Sequence, residues 1–233
     1  MGGTPAPPAE EPEAPRVRDV VFPKRGFSAT ESLLGVNLIV SAVLFGVGGA
    51  GYPSMLREMT NAWWESVDSR HTYGWWIATL FMHADPGHLL RNLLALLAAS
   101  SSVEFLAGRR ATWVTYFVAG IGGAWASYAG RGGPPLSVGA SGAIFGLLGA
   151  AVAFIVRRRG TFNYAHRWKV WRVYVPLFVL LFLPALANAD VRAHAGGFAT
   201  GLLVGVVLPP HPRVRRLAAV DSLEDEATHS TEE

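Results

Sequence analysis

The chain has 233 residues, 51% hydrophobic and 16% charged, where an ordinary soluble domain carries about 25% charged residues. Residues 1–30 hold eight charges and residues 212–233 hold nine, which leaves 20 for the 181 residues between, too few for a water-facing surface. Without Cys there is no disulfide framework, thiolate metal site or cysteine nucleophile, and the net charge of +3 conceals +6 on the apolar middle, where basic residues report membrane orientation rather than a nucleic-acid ligand.

In chain order, residues 1–30 are rich in Pro, Ala and Glu and lack the apolar run of a cleavable signal, so they read as a disordered tail. A hydrocarbon core of about 30 Å asks for about 20 mainly apolar residues per helix. Six stretches qualify: Ser32–Gly51, His88–Leu106, Ala111–Tyr128, Val138–Val156, Val170–Ala189 and Val191–Leu208. Linkers rich in Gly, Pro and Arg separate them, among them Gly108–Arg110, Gly130–Pro135 and Arg157–Gly160. The expected architecture is an all-α, six-helix membrane bundle over 31–209, with tails at 1–30 and 210–233. Six crossings leave both termini on one side. That side receives 15 of the 20 Lys and Arg, the other only Arg57, Arg70, Arg91, Arg131 and Arg192. By the positive-inside rule both termini are cytoplasmic.

Polar side chains inside such spans need a reason, since they face the bundle interior or a hydrated cavity and raise a functional hypothesis. His88, Ser141 and His194 each stand near the start of an inward-running span. The separations, 53 residues from His88 to Ser141 and 53 from Ser141 to His194, each amount to two crossings, so all three share one depth near the non-cytoplasmic face. A lone membrane serine ordinarily bonds back to its own helix. Ser141, however, lies in Gly139-Ala140-Ser141-Gly142 with Gly146 and Gly149 following. Little side-chain bulk surrounds its hydroxyl, and first-turn N–H groups are free to meet an oxyanion. His194 opens the run Ala193 to Gly201, in which Gly197, Gly201 and Gly205 repeat every four residues as a smooth packing ridge. If this ridge packs on the glycines of the fourth span, His194 is level with Ser141 and serves as its general base. His88 and Asn92, four apart, share a helical face and offer N–H donors to a developing negative charge. His83, His88 and His194 are also three imidazoles for zinc. The chain nevertheless lacks Cys and a His-Glu-x-x-His motif, and only Asp85 is a nearby carboxylate, so no metal or other cofactor is expected.

Together, His83-x4-His88-Leu-x2-Asn92, Gly139-Ala140-Ser141-Gly142-Ala143-Ile144-Phe145-Gly146 and Ala193-His194-x-Gly196-Gly197-x3-Gly201 resemble the motifs of the rhomboid family of intramembrane serine proteases, in the family's order and over residues 31–209. The chain is similar to the basic six-helix bacterial form. The resemblance implies an integral protein of the cell membrane whose Ser-His dyad cuts transmembrane segments of other proteins from a cavity open to the non-cytoplasmic side. It implies Ser141 as nucleophile, His194 as general base and later acid, and His88 and Asn92 as oxyanion donors beside the Ser141 N–H. His83 then has a structural or water-retaining role, Phe145 stacks on His194, and Gly139 and Gly197 support the site. The first loop departs from the family: Tyr73-Gly74-Trp75-Trp76 stands where a Trp-Arg pair is usual. Asp190, four residues before His194, is an alternative triad carboxylate. Two other classes remain in view: a catalytically silent relative that binds client helices, against which both dyad residues speak, and a small transporter, against which the lack of an inverted repeat speaks.

Overall fold

In the computed structural model, which describes residues 28–68, 75–130, 137–158, 190–212 and 214, every regular element is helical. The expected span 170–189 and nearly all of both tails lie outside the described residues. α1 (Ala29–Gly48) begins ahead of the expected Ser32 because Ser28 and Glu31 close a capping box: Glu31 N–H donates to Ser28 Oγ at 3.0 Å, and Ser28 N–H to the Glu31 carboxylate at 2.8 Å. A second carboxylate, Glu104 of α4 (Pro86–Ala107), accepts from Ala29 N–H and Thr30 N–H at 2.9 Å and from the Thr30 hydroxyl at 2.8 Å. First-turn donors that a helix leaves unpaired are thus met by another helix, which ties the start of α1 to the last turn of α4.

Between them the chain forms a 3-10 turn at Gly49–Gly51, then α2 (Tyr52–Asp68), α3 (Trp75–Ala78) and a second 3-10 turn at Thr79–Phe81. No expected span covers α2, which is amphipathic. Tyr52, Leu56 and Thr60, four apart, are buried while Ser54 and Glu58 are exposed. The Tyr128 ring near the end of α5 (Arg109–Gly130) lies 4.8 Å from that of Trp64 in α2 and 5.9 Å from that of Trp76 in α3, fastening both loop helices to α5.

α6 (Ser141–Arg157) and α7 (Val191–Val207) run parallel in backbone contact. A β-carbon on Gly197 would collide with Gly142 O, one on Gly201 with Gly146 O, and one on Gly205 with Ala150 O. Only hydrogen at those three positions permits the approach. At the far end Arg157 and Arg158 donate to Val206 O and Leu208 O, capping the last carbonyls of α7.

The distribution of side chains is inverted relative to a helix in water. α1 turns Asn37 and Ser41 inward and leaves Ile39 64% and Val47 75% exposed. α7 buries its three ridge glycines with His194 and leaves Leu203 72% exposed. Small and polar groups inside with aliphatic groups outside is the pattern that suits a lipid solvent. Ala29–Ala62 and Pro86–Ala107 are long and apolar enough to cross a membrane, and α6 and α7 are shorter apolar helices.

Candidate active site

The N-terminal ends of α4, α6 and α7 meet. Ser141 is the first residue of α6, preceded by Ala140 as an N-cap that supplies no side-chain bond, so no side chain covers the first-turn N–H groups. Gly139 adopts φ 113°, which favours glycine, and its N–H donates to Thr79 O at 2.9 Å. A β-carbon there would stand 2.9 Å from Cε1 and 3.1 Å from Nε2 of His88. Glycine therefore serves both the turn and the approach of the imidazole.

α7 starts at a capping carboxylate. Asp190 Oδ1 accepts Ala193 N–H at 3.1 Å, Oδ2 accepts the Ser127 hydroxyl of α5, and Asp190 O accepts His194 N–H at 3.1 Å. The carboxylate thus fixes the first turn of α7 against α5. From that turn His194 places Nε2 2.9 Å from Ser141 Oγ. Phe145, one turn along α6, stacks on the His194 ring with centroids 4.2 Å apart and planes 10° from parallel, and Gly197 lets the two backbones close. Ser141 and His194 are both buried.

α4 is started by Asp85, which accepts His88 N–H at 2.8 Å, with Pro86 at its first position. His88 Nδ1 accepts Ala84 N–H at 3.4 Å, which leaves the ring proton on Nε2, on the same ring edge as the Cε1 that meets Gly139. One turn on, Asn92 donates from Nδ2 to His88 O at 3.1 Å, and the same nitrogen would be 3.6 Å from a Gly139 β-carbon. The structure thus brings His88 and Asn92 to the residue two before Ser141. His83 is fully buried and meets the His88 ring edge-on at 5.2 Å. Its Nδ1 pairs with Ser41 Oγ at 2.9 Å and its carbonyl accepts the Tyr52 hydroxyl. Burial, helped by neighbouring His88, pushes its imidazole down to about 3. Among the described residues no three His, Asp or Glu side chains converge to hold a metal ion.

Chemically the arrangement offers a hydroxyl facing an imidazole that can take its proton, with uncapped helix N–H groups and the donors of His88 and Asn92 at the same turn. Sequence reasoning passed over Ser41, Tyr52 and Tyr116, which bind the backbone around His83 and the turn before it. Ser41 and Tyr116 had a readable signal, since each is a polar group inside an expected span.

A family model described as the Rhomboid domain matches residues 61–211. RHOMBOID-like protein 2 of Arabidopsis thaliana is 33% identical over 172 residues, 69% of this chain and 50% of its own length. RHOMBOID-like protein 4 of the same plant is 36% identical over 148 residues, 60% of this chain and 35% of its own. Rhomboid protease GluP of Bacillus subtilis is 32% identical over 136 residues, 58% of this chain and 26% of its own. The chain thus spans half or less of the length of these curated relatives.

Proposed function

The chain belongs to the rhomboid family, an integral-membrane family that includes proteases, and on that premise we propose that it is an intramembrane serine endopeptidase working by a Ser141–His194 dyad. The observation that carries this reading is the 2.9 Å approach of His194 Nε2 to Ser141 Oγ beneath the Phe145 ring. His194 Nε2 takes the hydroxyl proton as Ser141 Oγ attacks a peptide carbonyl. The tetrahedral oxyanion is met by the Ser141 N–H, His88 Nε2–H and the Asn92 amide. The imidazolium then gives its proton to the departing amine. Water, deprotonated by the same imidazole, attacks the acyl-enzyme and restores Ser141. The substrates are transmembrane segments of other proteins. Because a helix hides its carbonyls in its own hydrogen bonds, the segment must unwind near its outer end to reach a site at the mouths of three helices.

The main rival within the family is a silent protein that binds client helices without cutting them, and it gives no reason for a serine and an imidazole in hydrogen-bond contact. A fluorophosphonate probe separates the two. Ser141 of the wild-type protein should become covalently labelled, and His194→Ala should lower the labelling rate by about 10³-fold or more, as loss of a general base does. Equal labelling of the two proteins would remove the dyad.

A further inference from the structure

The 3-10 turn at Thr79–Phe81 and the two residues after it form a buried stretch outside the long helices, whose backbone polar groups need partners. Four of its carbonyls are taken, each by a different part of the fold. Thr79 O accepts Gly139 N–H at 2.9 Å, from the approach to α6. Leu80 O accepts the hydroxyl of Tyr116, a fully buried residue of α5, at 3.1 Å. Phe81 O accepts the Ser41 hydroxyl of α1 at 3.2 Å, and His83 O accepts the Tyr52 hydroxyl of α2. The same Ser41 hydroxyl pairs with His83 Nδ1 at 2.9 Å, which pins the ring as well as the backbone. Tyr116 is itself held by Asn37 Nδ2 at 3.2 Å.

Immediately beyond this stretch, Ala84 N–H donates to His88 Nδ1. That bond decides which nitrogen of His88 keeps its proton. With Nδ1 as acceptor, Nε2 is the donor, and Nε2 lies with Cε1 on the edge of the ring that meets Gly139. We infer that residues 79–84 are a positioning hub for the reaction: Tyr116, Ser41 and Tyr52 hold this backbone so that Ala84 fixes the tautomer and place of His88. None of the three touches the reacting atoms, and all three are positioning residues. This rests on the proteolytic reading above, and extends it from the dyad to the scaffold behind the oxyanion donors.

The test uses the full chain in detergent with a fluorogenic transmembrane peptide. Tyr116→Phe and, as an independent variant, Ser41→Ala each lower kcat by about tenfold with KM within about twofold, because a small displacement of an oxyanion donor is felt in the transition state and not in binding. Combined with His88→Ala, neither adds to the loss that His88→Ala causes alone, since the hub acts through that side chain. In the ¹⁵N-histidine spectrum, with the His88 signal assigned by its disappearance in His88→Ala, Nε2 is protonated and Nδ1 is not. Tyr116→Phe mixes in the other tautomer. An Nδ1-protonated His88 in the wild type, a kcat unmoved by both single variants, or losses that multiply with that of His88→Ala would each overturn the inference. A wild-type chain that cuts no peptide would remove the proteolytic reading instead, and the tautomer measurement would still decide the structural part.

Discussion

His83 and His194 are both buried imidazoles, yet their surroundings assign them different work. His194 faces a hydroxyl that can lose a proton, while His83 gives its ring to Ser41 and its carbonyl to Tyr52. Its burial has a consequence for stability. The free imidazole titrates near 6.5 and the folded one at about 3, so between those values the unfolded chain binds the extra proton. The contribution of a neutral His83 is therefore complete above about 6.5 and is lost as the pH falls toward 3. Thermal unfolding in detergent, scanned from pH 7 to 4, should fall more steeply for the wild type than for His83→Gln. Parallel slopes would show that His83 is not held neutral by the fold. The motif spacing made His83 visible in the sequence. Its partners were not, because Ser41 and Tyr52 lie 42 and 31 positions before it, and no local pattern encodes that meeting.

At the scale of elements, the α6–α7 pair was the most legible part of the chain. Glycines at 142, 146 and 149 on one span and at 197, 201 and 205 on another point to close backbone approach from the sequence alone, and in the fold Gly197 meets Gly142, Gly201 meets Gly146 and Gly205 meets Ala150. Gly201→Ala should destabilise the protein by about 1–3 kcal/mol, the usual cost of overpacking, since its β-carbon would collide with Gly146 O. Gly35→Ala on α1, where nothing lies within 4 Å of the added carbon, should be neutral or slightly stabilising, because Ala is the better helix former by about 1 kcal/mol. The comparison is read by thermal unfolding of the two variants, and equal effects would contradict the close packing of α6 on α7. Two features at this scale escaped the sequence. α2 did so because a half-polar helix does not register in a search for continuous apolar runs. The capping of α1 by Glu104 did so because it joins residues more than 70 positions apart. Glu104 alone was a usable hint, as a carboxylate inside an expected span has to have a partner.

For the whole molecule, the scarcity of charge in the middle of the sequence and the outward aliphatic faces of α1 and α7 describe one fact from two directions, a body whose solvent is lipid. Ser141, His194, His88 and Asn92 stand where the starts of α4, α6 and α7 meet, and Arg157 and Arg158 stand at the opposite ends of α6 and α7. The orientation that we propose, with those arginines toward the cytoplasm and the dyad toward the other face, follows from that separation. That proposal rests on charge and hydropathy, which are summed along the chain and do not depend on packing, whereas the hub at residues 79–84 depends on four elements at once. The most direct measurement of the central claim is cleavage in a bilayer. The chain is reconstituted into liposomes with a transmembrane reporter protein, and the products are mapped by mass spectrometry. Wild-type protein should cut the reporter within the outer part of its membrane segment, and Ser141→Ala should leave it intact. Cleavage by Ser141→Ala at the wild-type rate would contradict the account.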